Sequence, residues 1–101
     1  MVIIAKSALA KYTEKYPETL VPLLKWYDVS SSADWNSLAA IKNSFNSVDF
    51  VGNDRYVFNI KGNRHRLVAL IHFSTRTVYI KFIGTHAEYD KIDVSTIDFK
   101  P

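Results

Sequence analysis

Gly62 and Asn63 stand between two stretches that alternate in polarity, Arg55 to Ile60 and His65 to Ala69. A Gly-Asn pair in that setting signals a two-residue β-hairpin loop. With Gly62-Asn63 as the loop, the pairing is determined. Lys61 faces Arg64, Ile60 faces His65, Asn59 faces Arg66, Phe58 faces Leu67 and Val57 faces Val68. Cross-strand partners share a sheet face, and the face alternates along each strand. One face therefore carries Tyr56, Phe58, Ile60, His65, Leu67, Ala69 and Ile71, a core face awaiting cover. The other carries Arg55, Asn59, Lys61, Arg64 and Arg66. A slip of one residue would exchange the two sets, so this register restricts the fold more than any other feature.

A second turn around Ser74-Thr75-Arg76 adds the β-rich run Thr77 to Ile83. Its parity predicts Val78, Ile80 and Phe82 on the core face, with Tyr79, Lys81 and Ile83 beside Asn59 and Arg66. Asn59, Lys61, Arg64, Arg66, Tyr79 and Lys81 are thus expected to converge on one side of three adjacent strands.

The first half of the chain has a different texture. Ala5, Ala8, Leu9, Tyr12 and Tyr16 recur at helical spacing until Pro17. Thr19 to about Tyr27 continues as a helix with Leu20, Leu23, Leu24 and Tyr27 on one stripe. Ser30-Ser31-Ser32 reads as a loop, after which Ser32 or Asp34 caps a third helix containing Trp35, Leu38, Ala39, Lys42 and Phe45. Met1 to Ile4 and Val48 to Val51 read as short strands, the latter ended by Gly52-Asn53. Helices first and sheet second predict an α+β fold, with N-terminal helices packed on one face of an antiparallel sheet. A length of 101 residues predicts one domain, spanning 1–101.

Composition narrows the function classes. With 48% hydrophobic and 23% charged residues, the chain reads as globular rather than disordered. It has no cysteine, so a disulfide framework, a thiolate zinc site and a cysteine nucleophile are all excluded. No apolar run suits a membrane helix or a secretory signal, so the expectation is a cytoplasmic protein without membrane contact. No cofactor or metal is expected, because His65 is placed on the core face and no carboxylate adjoins the basic cluster before Ala87.

The net charge of +3 matters less than its placement. Residues 1–50 carry five basic and five acidic side chains, whereas residues 51–101 carry eight and five. From Arg55 to Ala87 there are six Lys or Arg, three His and no carboxylate. Facing cations destabilise a sheet unless an anion joins them, so this face is a candidate phosphate footprint. Cations at a strand edge also discourage aggregation, which is the purely structural alternative. Beyond the last strand, Thr85 can cap a short turn that aligns His86, Tyr89 and Asp90 at i, i+3 and i+4. An imidazole beside a phenol and a carboxylate suits acid–base work near neutral pH.

The stretch Tyr56 to Ala69, with its Tyr-x-Phe-Asn, Gly-Asn turn and Arg-Leu-Val, is followed by Tyr79-Ile80-Lys81 and by Thr85-His86-Ala87-Glu88-Tyr89-Asp90. This combination resembles the HigB toxins of the RelE-like superfamily of type II toxin–antitoxin systems. The N-terminal apolar strand and the helix ending in Glu14-Lys15-Tyr16-Pro17 are similar too. The resemblance implies a small toxin that enters the ribosomal A site and cuts messenger RNA during translation. It implies as partners the ribosome, the messenger and a HigA-type helix-turn-helix antitoxin, through which the complex would bind operator DNA. Arg66 matches the arginine of the strand motif, and His86 and Tyr89 match the C-terminal motif. The lysine pair of the RelE branch is not matched, since Asn59 occupies the comparable strand.

RNA can be cut without a metal because its own 2′-hydroxyl is the nucleophile. The protein must move two protons and stabilise a phosphorane. The expected catalytic set is Arg66 and Lys81 on the phosphorane, His86 for proton transfer and Tyr89 beside it. Asn59, Lys61, Arg64, Tyr79 and Arg55 are the expected RNA contacts. The alternative reading is a non-catalytic RNA- or ribosome-binding module using the same face.

Overall fold

The computed structural model describes residues 1–98. Its centre is a five-stranded sheet in the order β1-β5-β4-β3-β2. The strands are β1 (Val2–Ile4), β2 (Val48–Phe50), β3 (Arg55–Ile60), β4 (His65–His72) and β5 (Thr77–Thr85). Strands β2 to β5 are antiparallel neighbours, and β1 joins the far edge parallel to β5. The sheet is therefore mixed, with the expected antiparallel part spanning β2 to β5.

The hairpin register is the one that Gly62-Asn63 predicts. Asn59 pairs with Arg66, Phe58 with Leu67 and Ile60 with His65. Lys61 O accepts from Arg64 N at 3.4 Å, and both Lys61 and Gly62 take positive φ, at 51° and 64°. Glycine adopts that conformation without the Cβ clash that lysine must tolerate. In the next hairpin Phe73 O accepts from Arg76 N, which leaves Ser74 and Thr75 at the centre of the turn.

Past Ile80 the predicted parity fails. Ala69 pairs with Ile80 but Val68 pairs with Phe82, so Lys81 is the extra residue of a β-bulge. An inserted residue flips every side chain beyond it. Ile83 accordingly packs against the core, and Phe82 pairs on the face of Val68 and Arg66, the reverse of the expected assignment.

Helices α1 (Ser7–Lys15), α2 (Leu20–Ser32) and α3 (Leu38–Ser44) lie upstream of β2. They bury Leu9, Tyr12, Leu23, Trp26 and Ile41 in one cluster with Tyr56, Phe58, Ile60, Leu67, Ala69, Ile71, Val78 and Ile80. These strand residues are the predicted core face, and each large side chain taken from water contributes about 1.5–3 kcal/mol. Two helix boundaries differ from expectation. Ser30-Ser31-Ser32 is not a loop but the last turn of α2, because Leu23, Trp26 and Ser30 share a buried stripe and the small hydroxyl fits beneath it. The cap of α3 is Ser37, whose Oγ accepts from Ala40 N at 3.2 Å, rather than Ser32 or Asp34. Trp35 is thereby outside the helix, buried, with its indole N–H donating to Ser44 Oγ at 3.1 Å.

A short helix, α4 (His86–Tyr89), follows β5. The chain then passes the start of β3. Asn53 Nδ2 donates to Ser95 O at 2.8 Å, and Arg55 donates from Nη2 to Ile97 O at 3.1 Å.

Candidate functional site

The face opposite the core carries Asn59 from β3 and Arg66 from β4 side by side. Arg66 pairs on its other side with Gly84 of β5, which has no side chain to compete for the space. The Arg66 guanidinium is half-buried and does not swing freely. Its Nη1 donates to Asn63 O at 2.9 Å, and it lies 5.8 Å from the centre of the Tyr89 ring. A cation over an aromatic face is attracted by the ring quadrupole. The carbonyl and the ring together hold a planar, always charged donor on an accessible surface.

Tyr89 reaches this position because α4 is rigidly joined to the sheet. Thr85 Oγ1 accepts from Glu88 N at 3.2 Å while Glu88 Oε1 accepts from Thr85 N at 2.9 Å, a reciprocal capping box. Hydrogen bonding to the Thr85 backbone holds the Glu88 carboxyl below its ordinary pKa. His86 N donates to Arg64 O at 2.9 Å, which ties the start of α4 to the β3–β4 loop. One turn of helix then sets His86 and Asp90 together, with Nδ1 and Oδ2 3.1 Å apart and both side chains about half exposed. The carboxylate orients the imidazole through one nitrogen and leaves the other, Nε2, for proton transfer.

Burial pushes the Tyr89 hydroxyl above its ordinary pKa, Asp49 and Asp90 push it the same way, and Arg66 opposes them. The phenol is thus neutral near pH 7 and keeps a proton that it can donate in a hydrogen bond. Asp49 was not foreseen at this place. It belongs to β2 and pairs with Val57, on the Asn59 face. The alternation Val48-Asp49-Phe50 against β3 carried that information. The turn signal Gly52-Asn53 ends β2 but does not set its register, because the turn is longer than two residues, with positive φ at Gly52, Asn53 and Asp54, and Phe50 pairs with Tyr56. Ser47 was missed for the same reason, and it accepts a hydrogen bond from Asn59 Nδ2.

Not all the expected residues meet. Lys61 and Arg64 lie exposed in the hairpin loop at the rim of the cluster. Tyr79 pairs with Leu70, four residues along β4 from Arg66, or roughly 13 Å at the ordinary strand rise. Lys81, the bulge residue, turns to the C-terminal segment, with Nζ 3.0 Å from Asp98 Oδ1 and 5.7 Å from the Tyr79 ring centre. Arg55 is 7% exposed and donates to the carbonyls of Ile97 and Asn53, so its guanidinium is spent inside the fold. The expected single convergence is met only by Asn59, Arg66 and Tyr89, with His86 one helical turn from Tyr89 and bonded to Asp90, Tyr79 and Lys81 farther along the face and Arg55 withdrawn from it. Carboxylates also stand nearer than expected, since Asp49 and Asp98 enter from segments outside the basic block.

His65 is on the core face as expected, buried, with Nδ1 2.6 Å from the Tyr12 hydroxyl and edge-on contacts to Tyr12 and Tyr16. Burial lowers its pKa and raises that of Tyr12, so both groups are held in their neutral forms across this hydrogen bond. Among the described residues no group of three or more His, Cys, Asp or Glu is arranged to hold a metal ion, and no helix is long and apolar enough to cross a membrane.

A family model described as HigB toxin, the RelE-like toxic component of a toxin–antitoxin system, matches residues 20–92. The chain is 32% identical over 94 residues to an mRNA interferase HigB of Escherichia coli strain CFT073, with 91% of each chain covered. It is 35% identical over 92 residues to an mRNA interferase HigB of Shigella flexneri, covering 89% of this chain and 88% of that one.

Proposed function

The chain belongs to the HigB family of RelE-like toxins of toxin–antitoxin systems, and on that premise we propose that it is a ribosome-dependent endoribonuclease of messenger RNA. The observation that supports this most directly is Arg66, a guanidinium fixed by Asn63 O and the Tyr89 ring on the solvent side of the sheet. A fixed guanidinium can offer two parallel hydrogen bonds to phosphate oxygens and meet the charge that develops on a phosphorane.

In this reading the substrate's 2′-oxygen attacks the adjacent phosphorus, and the bond to the 5′-oxygen of the next nucleotide breaks. The products are a 2′,3′-cyclic phosphate and a 5′-hydroxyl. His86, oriented by Asp90, exchanges one of the two protons involved. Tyr89 donates a hydrogen bond to the phosphate, and Asn59 holds the strand. Lys61 and Arg64 meet flanking phosphates or ribosomal RNA. Lys81 reaches a phosphate only by releasing Asp98, so the main stabilising cation is Arg66. The set contains one imidazole and no second strong acid–base pair, which is why the ribosome is assigned the task of positioning the substrate. The same reading places the protein in the cytoplasm, and gives it an antitoxin of the HigA type, with operator DNA bound through that antitoxin.

The test is a translation reaction with messenger, ribosomes and the purified protein, with mapping of the new 5′ ends. Cleavage within the translated region and none on naked RNA is expected. Equal cutting of naked RNA would remove the ribosome from the mechanism. Ribosome binding that survives His86→Ala, with no cleavage by either form, would make the protein a binding module.

A further inference from the structure

The nuclease reading leaves one of its two protons without a holder, because His86 exchanges only one. The other groups near the site that can take a proton are carboxylates, and most of them are engaged. Asp90 is bonded to His86, Asp98 pairs with Lys81, and Glu88 closes the capping box. Asp93 accepts from Ser95 N and Ser95 Oγ. Asp49, by contrast, is exposed on β2 and makes no hydrogen bond or ion pair among the described residues.

Its position follows from the strand register. Asp49 pairs with Val57 and Val57 with Val68, so it lies on the face of Arg66. Asn59, two residues beyond Val57, is the partner of Arg66. Asp49 and Asn59 are therefore diagonal neighbours across β2 and β3, roughly 7–8 Å apart. Ser47, two residues before Asp49, accepts from Asn59 Nδ2 and ties this end of β2 to the site. The Asp49 charge is also felt at the Tyr89 hydroxyl, whose pKa it raises. Strand order sets the two sides of the site. β2 and β5 flank the β3–β4 hairpin, and α4 follows β5, so Asp49 and His86 come from opposite sides of Arg66. A displacement at phosphorus has its entering and leaving oxygens roughly in line, which calls for a base on one side and an acid on the other.

We propose that Asp49 is the general base that takes the proton from the attacking 2′-hydroxyl. This role rests on the ribonuclease reading above and completes its proton transfers. The hydroxyl proton passes to a carboxylate oxygen of Asp49 while the electron pair of the 2′-oxygen forms the bond to phosphorus. The bond from phosphorus to the 5′-oxygen breaks, its pair stays on that oxygen, and the His86 imidazolium gives it a proton. Asp49 ends protonated and His86 neutral, and exchange with water restores both. Arg66 meets the charge on the phosphorane between them. A carboxylate beside a cationic face repels RNA, so its placement serves chemistry and not affinity. A charge on an edge strand can also serve only to keep sheets apart, and the following experiment separates the two roles.

Wild type, Asp49→Asn and His86→Ala are compared in translation reactions on two messengers. One is ordinary, and the other carries sulfur in place of the 5′-oxygen at the cut, a leaving group that needs no proton. Asp49→Asn keeps the shape of the side chain and removes the base. It should cleave the ordinary messenger about 10²–10⁴-fold more slowly than wild type. Its ribosome binding should be no weaker and its denaturation midpoint unchanged. The sulfur substitution should restore cleavage by His86→Ala and leave Asp49→Asn slow. Wild-type cleavage of the ordinary messenger by Asp49→Asn would overturn the assignment, as would its rescue by sulfur or a loss of ribosome binding that accounts for the slow rate. A wild type that cuts neither messenger would reject the nuclease reading and the base with it, whereas an active wild type beside an equally active Asp49→Asn would reject the base alone.

Discussion

His65 and Arg66 are adjacent in β4 and point to opposite faces, so one lies against Tyr12 in the core and the other beside Tyr89 at the surface. This separation was legible from the Gly62-Asn63 turn alone, because the side-chain period of a strand is two and the turn sets the phase. What each residue does afterwards was less legible. That Arg55 is spent on Ile97 O and Lys81 on Asp98 depends on a segment more than fifteen residues away in sequence, which no local pattern links to them. The buried imidazole leads to a prediction about pH. A folded-state pKa below the ordinary value means that the unfolded chain binds more protons, so stability is complete above about 6.5 and falls as the pH drops below it. The ring resonances of His65 should titrate below the ordinary histidine range in an NMR titration. The denaturant midpoint should fall between pH 7.5 and 5.5, less so in His65→Gln. Titration of His65 above the ordinary value would contradict the burial of the ring against Tyr12 and Tyr16.

Among the elements, α4 is the shortest α-helix and the most consequential, since its four residues carry His86 and Tyr89. It is too short to be stable through its own hydrogen bonds. Its place is held by the Thr85–Glu88 box and by the bond from His86 N to Arg64 O. Thr85→Ala should cost about 1 kcal/mol of stability in chemical denaturation. It should lower cleavage much more than ribosome binding, because the ring beside Arg66 loses its fixed position. Gly84 offers an independent check. A Cβ there would lie 2.5 Å from Phe82 Cζ and 3.3 Å from Glu88 Cβ, so the Phe82 ring must move and α4 is pressed as well. Gly84→Ala should destabilise by about 1–3 kcal/mol and reduce cleavage. Unchanged denaturation and activity would show that α4 is not held where the structure places it. The sequence supported α4, through Thr85 and the i, i+3, i+4 spacing, but not the bulge at Lys81. A bulge has no composition of its own, and parity counting runs through it unaware.

Over the whole molecule, the helices cover one face of the sheet and leave the other open, except where residues 91–98 pass along it. Order of textures was enough to predict the α+β layers, but the path of the C-terminal segment was not, because its contacts are mostly to backbone carbonyls. Arg55 is the test of that segment. Arg55→Ala leaves Ile97 O and Asn53 O without their donor and should cost about 1–3 kcal/mol in thermal or chemical unfolding. The salt dependence of RNA binding should stay as in the wild type. A drop in the salt slope with no loss of stability would return Arg55 to the RNA-binding surface. The central claim, that chemistry takes place at the middle of the sheet's open face and not at the hairpin tip, is tested by one comparison. Ribosome binding and messenger cleavage are measured at two salt concentrations for Arg66→Ala, Lys61→Ala and Arg64→Ala. Arg66→Ala should lose on the order of 10²–10³ in cleavage rate with binding largely kept. Lys61→Ala and Arg64→Ala should bind more weakly, each with a salt slope lower by about one, and should cleave once bound. Wild-type cleavage by Arg66→Ala together with an inactive Lys61→Ala would contradict the account and move the chemistry to the loop.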